Sequence, residues 1–124
     1  MTPEQKFYQW FRKQLPHGAD CVRIETTTMG GMPDVNVCYK GIEIWVELKC
    51  FVNGRVLIRP QQNAWMHRRK FRGGKVFLIA DHSSGIHVWV PEFLSVPHGK
   101  YLWVDTKPTF IGKHDKSLIS FLFT

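Results

Sequence analysis

Residues 30–49 read GGMPDVNVCYKGIEIWVELK, and the fold turns on this stretch. Two runs rich in β-branched and aromatic residues, Asp34–Tyr39 and Ile42–Lys49, flank Lys40-Gly41. A two-residue X-Gly connection between alternating runs predicts a β-hairpin. With Tyr39 opposite Ile42, the register carries Asp34 opposite Glu47. Val35, Val37 and Tyr39 then share one apolar face with Ile42, Ile44, Val46 and Leu48, which should pack under a helix. Asp34 and Glu47 fall on the other face, with Trp45 and with Lys49 two residues further on. A longer turn or a bulge would stagger the two acids and still leave them neighbours.

Outward from the hairpin, Thr2-Pro3-Glu4-Gln5 has the form of a helix start, with Thr as N-cap, Pro at the first helical position and Gln at the third. Phe7, Trp10, Phe11 and Leu15 recur at helical spacing and should face a core, and Pro16-His17-Gly18 ends the helix. Cys21–Thr26 reads as a strand. Beyond the hairpin, Val56–Ile58 is short and extended, Pro60 opens a helix over Gln61–Phe71, and Gly73-Gly74 closes it. Val76–Ala80 is apolar enough for the centre of a sheet. Ile86–Val90 and Tyr101–Val104 read as strands, and the tail Leu118–Phe123 should dock. The order α-β-β-β-α-β-β predicts an α/β domain, a mixed β-sheet flanked by helices. Residues 1–124 should form one domain, its core about 3–90 and 91–124 a C-terminal extension packed on it.

The chain carries 17 Lys and Arg against 10 Asp and Glu, a net charge of +7, and 44% of its residues are hydrophobic. That mix excludes an extended disordered chain, and the basic excess favours a polyanionic partner, most often nucleic acid. The apolar run Val76–Ala80 falls far short of the roughly 20 residues that span a bilayer. MTPEQKFYQW lacks the apolar segment of a signal peptide, so the expected location is cytoplasmic. Cys21, Cys38 and Cys50 show no metal-ligand spacing and read as reduced thiols on strands, and the six histidines form no ligand motif.

Two carboxylates directly opposite on a hairpin lie with Cβ atoms about 5 Å apart and destabilise it. A divalent cation between them would offset the repulsion, and hard carboxylate oxygens suit Mg²⁺. A lysine beside such an ion can orient a water or stabilise charge growing on a phosphate. Acids, metal and lysine suffice for phosphodiester cleavage without a covalent nucleophile.

Pro33-Asp34 followed by Glu47-Leu48-Lys49 resembles the PD-(D/E)XK nuclease superfamily. GMPDVNVCYKGIEIWVELK with IRPQQNAW and GGKVFLIA is similar, more narrowly, to small phage and bacterial VRR-NUC-type nucleases, themselves similar to Holliday junction resolvases. The resemblance covers about Glu4 to Ala80. It implies an αβββαβ restriction-endonuclease-like core and a Mg²⁺-dependent DNA endonuclease, with Mn²⁺ as substitute, leaving 5′-phosphate and 3′-hydroxyl ends. It implies Asp34 and Glu47 as metal ligands, the Leu48 carbonyl as a further ligand and Lys49 as the catalytic lysine. Gln62 matches a glutamine such nucleases carry on the helix after the motif, and Glu4 an acid on their first helix. Glu25, just upstream of the Gly-Gly turn, competes with Glu4 as third acid.

Arg68, Arg69, Lys70 and Arg72 cluster at the end of the second helix with Lys75 just past it, and Arg55 and Arg59 precede that helix. Cations favour a helix C-terminus, but with this net charge they also form a candidate phosphate-gripping surface. The leading expectation is therefore a metal-dependent endonuclease acting on DNA, selective for branched or junction structures, in a bacterial or phage-infected cell. Symmetric cutting of two strands would call for a homodimer. The alternatives are a catalytically silent nucleic-acid-binding module of the same fold and a phage-encoded interaction or inhibitor protein.

Overall fold

The computed structural model describes residues 1–24 and 30–124. Helix α1 spans Pro3–Gln14. Its capping box is complete: the Gln5 N–H donates to Thr2 Oγ1 at 3.1 Å, and the Thr2 N–H donates to Gln5 Oε1 at 2.8 Å. Strands β1 (Asp20–Arg23), β2 (Val35–Tyr39) and β3 (Ile42–Cys50) follow. The part of the expected Cys21–Thr26 strand beyond Ile24 lies outside the described residues, as does Glu25. Lys40 and Gly41 have φ of 50° and 78°, the left-handed pair that a two-residue hairpin matching strand twist requires. Val35 pairs with Val46 and Tyr39 with Ile42, the register read from the sequence.

The remaining elements are β4 (Leu57–Ile58), α2 (Pro60–Phe71), β5 (Val76–His82), β6 (Gly85–Trp89), β7 (Ser95–His98), β8 (Tyr101–Val104), β9 (Phe110–Gly112) and α3 (Ser117–Leu122). A six-stranded sheet runs β1-β2-β3-β5-β6-β9. Its β3–β5 pair is parallel and its other pairs antiparallel, so the sheet is mixed. The parallel pair needs a crossover, which α2 supplies.

Both faces of the sheet are covered. On one, Phe7 and Phe11 of α1 and Leu118 and Leu122 of α3 bury Val37, Ile44, Val46 and Ile79. On the other, Trp65 and Met66 of α2, with Ile58 and Val104, bury Val76, Leu78 and Ala80. Among the described residues no helix is long and apolar enough to cross a membrane.

The C-terminal third departs most from expectation. Residues 91–124 do pack on the core, but they also complete it: β9 extends the main sheet, and β7 and β8 join β4 in a second, three-stranded sheet ordered β4-β8-β7. Strands β7 and β9 have no alternating pattern to announce them. Pro97 within β7 is tolerated because β7 is an edge strand. The docking tail is a short helix.

Candidate active site

Asp34, Glu47, Lys49 and Gln62 come together at one end of the hairpin. Trp45 donates its N–H to the Lys75 carbonyl, on the β5 side. Alternation along β3 therefore aims the N–H and C=O of Leu48 to the β2 side, toward Asp34. The Leu48 N–H is taken by Asp34 Oδ2 at 3.1 Å, and the Leu48 carbonyl points the same way. Asp34 stands just outside β2, so its carboxylate replaces a ladder partner.

Glu47 is 1% exposed on the α2 face of the sheet. Its Oε2 accepts from Gln62 Nε2 at 2.8 Å, and the Lys49 Nζ lies 3.6 Å from the same oxygen. Gln62 is fixed at its other end, where its Oε1 accepts the Arg59 N–H at 2.9 Å. This bond satisfies an orphan donor of the first turn of α2, so helix capping and carboxylate orientation are one arrangement. Glu47 Oε1 is buried and has no hydrogen-bond partner.

The electrostatics follow from burial. Desolvation, then the neighbouring charge of Asp34, pushes the Glu47 carboxyl up to about 8 from an ordinary 4.5, with the Lys49 cation pulling the other way. Asp34 is raised too, chiefly by burial, against the pull of the Leu48 N–H and Lys49. Two buried acids in contact cannot both carry charge cheaply, and they titrate as a pair. The donor set could hold a divalent cation: the Asp34 and Glu47 carboxylates, the latter with its buried Oε1 unpartnered, and the Leu48 backbone carbonyl on the same side. It is an open set rather than a cage, since no three His, Cys, Asp or Glu side chains converge among the described residues. Such a set suits Mg²⁺, which keeps several of its waters.

Glu4 is exposed in the first turn of α1, near enough for its charge to add to the rise at Glu47. The turn before Asp34 is locked onto α2. Gly31 has φ of 93°, and any Cβ there would collide with the Gln61 carbonyl oxygen. That contact holds the chain leading into Asp34 against the turn that carries Gln62.

The basic residues separate into groups. Arg59 is exposed at the start of α2, beside the site. Arg68 and Arg72 are exposed near the far end of the same 12-residue helix, about 13 to 20 Å along its axis from Arg59, and exposed Lys75 follows. Arg69 lies over the rings of Trp45 and Trp65 at 5.3 and 4.6 Å, and so closes α2 onto the sheet. That contact also covers Trp45. Lys70 pairs with Glu92, and Arg55 stacks 4.4 Å over Trp103. Lys100 and Tyr101 sit beside Arg59, a proximity created by the second sheet and without a sequence signal of its own.

No protein-family model matches the chain, and no curated protein matches its sequence. Structural similarity is decisive: Hjc, a Holliday junction resolvase from the archaeal hyperthermophile Archaeoglobus fulgidus, superposes with a TM-score of 0.60 at 9% identity, covering 94% of this chain and 99% of that one. The chain shares the fold of a Holliday junction resolvase. The restriction-endonuclease-like architecture is thus established by shape at an identity that leaves the motif residues to be judged on their own geometry.

Proposed function

We propose that the chain is a metal-dependent DNA endonuclease selective for branched structures, hydrolysing phosphodiester bonds at Asp34, Glu47 and Lys49. The observation that carries this reading is the buried acid pair: Glu47 is 1% exposed with an unpartnered oxygen, against a second acid. Folding gains nothing from such a pair, whereas phosphoryl chemistry uses it. Asp34, Glu47 and the Leu48 carbonyl would hold Mg²⁺, or Mn²⁺ in its place, which supplies an acidic bound water and neutralises charge on the phosphate. Lys49, whose Nζ lies 3.6 Å from Glu47 Oε2, would hydrogen-bond the attacking water or a phosphate oxygen. Gln62 holds Glu47 in one orientation. Glu4 stands at the rim as third acid, with Glu25 its competitor.

The fold neighbour is a junction resolvase, which supports DNA as substrate and branch selectivity as the first property to test. The narrower VRR-NUC assignment rests on the motif resemblance, and a homodimer is the assembly that paired cuts would need. The test incubates the protein with supercoiled plasmid and with four-way and flapped DNA, in Mg²⁺, Mn²⁺ or EDTA. Cleavage with either metal and none in EDTA is expected. Binding without cleavage under all conditions would overturn the enzyme in favour of a silent binding module, and neither binding nor cleavage would leave an interaction protein.

A further inference from the structure

The second sheet has an outer face that the reaction does not use. In β8, Leu102 and Val104 point inward to the cluster around Trp89 and Phe93, so alternation turns Tyr101 and Trp103 outward. Cations interleave with these rings. The Arg55 guanidinium lies 4.4 Å over Trp103, with its Nη1 3.4 Å from His98 Nδ1. Lys100 Nζ lies 5.8 Å from the Tyr101 ring centre. Arg59 follows Ile58, which pairs with Leu102, so Arg59 lies beside Tyr101 and Lys100 around a groove of about 340 Å³. The acid nearest this face by register is Asp105, past Val104 at the end away from Arg59.

This face adjoins the candidate site through one helical turn. The Arg59 N–H is held by Gln62, and Gln62 holds Glu47. We propose that the outer face of the β4-β8-β7 sheet binds single-stranded DNA and directs an unpaired arm of the substrate toward Glu47. Duplex DNA hides its base faces in its own stack, whereas a single strand offers each one to an aromatic ring, and basic side chains between the rings follow the backbone. Tyr101, 38% exposed, is the ring most open to a base, and Trp103 under Arg55 floors the same surface. The proposal deepens the endonuclease reading: the preferred substrate is a flap or fork with an unpaired arm rather than a fully paired junction.

Binding is measured in EDTA by fluorescence anisotropy, with a 20-nucleotide oligothymidylate, a 20-base-pair duplex and a fork with one unpaired arm. Cleavage of fork and duplex is measured separately in Mg²⁺. Tyr101→Ala should weaken binding to the oligothymidylate and fork by roughly 5- to 150-fold, the range for losing one base–aromatic stack. Duplex binding and duplex cleavage should be unchanged, and Tyr101→Phe should retain single-strand binding. Thermal melts of both variants establish that they are folded, and Lys100→Ala, far from the core, provides a second probe through a flatter salt dependence on single strands. If the wild-type protein cleaves but prefers no unpaired arm, and neither Tyr101→Ala nor Lys100→Ala alters single-strand binding, the platform is wrong and the endonuclease stands. Single-strand binding lost in Tyr101→Ala without cleavage of any substrate would uphold the platform and overturn the endonuclease.

Discussion

The two faces of the central sheet are built from the same strands to opposite ends. Toward α1 and α3, Val35, Val37, Ile44, Val46 and Leu48 meet Phe7, Phe11, Leu118 and Leu122 in a core with no buried carboxylate among the described residues. Toward α2, alternate residues of the same β3 strand supply Trp45, Glu47 and Lys49, and α2 sends Gln62 down onto Glu47. A period of two thus gives one strand two tasks: its even positions hold the domain together and its odd positions gather charge. The charged face is tolerated because the apolar face stabilises the hairpin that carries it.

The largest expected effect tests the charged face. Asp34→Asn and Glu47→Gln should each cut cleavage by about 10³-fold or more, the loss of several kcal/mol of transition-state stabilisation, while DNA binding in EDTA survives. At pH 8 without metal, Glu47→Gln should also melt at a higher temperature than the wild type, because it removes one of two buried like charges. Single-turnover cleavage and a thermal melt measure both. Full activity in either variant would end the division of labour between the faces.

The pH dependence follows from the same pair. The folded Glu47 carboxyl titrates near 8 and the unfolded one near 4.5, so the native state holds its proton more tightly. A raised acid contributes stability at low pH and loses it as pH rises from about 4.5 through about 8. Asp34 is shifted in the same direction. Metal-free protein should therefore lose up to about 4 kcal/mol of unfolding free energy across that window, and Glu47→Gln should flatten the slope. Denaturant melts in EDTA at pH 5 and pH 8 read this directly. Restoration by Mg²⁺ at pH 8 would locate the ion at the pair.

The opposite face should respond in stability alone. Ile44 is fully buried against α1, and Ile44→Ala should cost about 2–5 kcal/mol by lost burial and the cavity left behind. Cleavage per folded molecule, measured well below the melting temperature, should stay within a few-fold of wild type. A collapse of activity in a folded Ile44→Ala protein would mean the faces are coupled more tightly than strand alternation suggests.

The same contrast explains what could be read in advance. The hairpin, its register and the sorting of residues to its faces depend on local rules: alternation, a two-residue turn and the left-handed freedom of Gly41. The starts of α1 and α2 are legible for a similar reason, since Thr2-Pro3 and Pro60 act within one turn. Two strands of the second sheet are legible, since Val56–Ile58 reads as extended and Tyr101–Val104 as a strand, but their pairing is not, because β4 is two residues long and its partner β8 lies far along the chain. β9 is likewise three residues with Ile111 facing out. Within the site, spacing placed Asp34 near Glu47, but the bond of Gln62 to both Glu47 and the start of its own helix needed the packed structure.

The smallest expected effect separates basic residues that belong to the charged face from those that secure the fold. Arg59 and Arg69 flank α2 at opposite ends, and both were candidate phosphate contacts from sequence. Both are exposed, but Arg59 stands beside Gln62, whereas the Arg69 guanidinium lies over the rings of Trp45 and Trp65. If Arg59 neutralises one phosphate, Arg59→Ala should flatten the plot of log affinity against log salt by about 0.9 on duplex DNA, or about 0.7 on a single strand. It should weaken binding to all sequences alike and leave the melting temperature nearly unchanged. Arg69→Ala should do the reverse, lowering stability by about 0.5–1 kcal/mol through the lost cation–π contact while the salt slope keeps its wild-type value. Titrations at four salt concentrations resolve a change of that size. Equal slopes for Arg59→Ala and the wild type would move the DNA path away from the mouth of α2, to the exposed Arg68 and Arg72 at its other end.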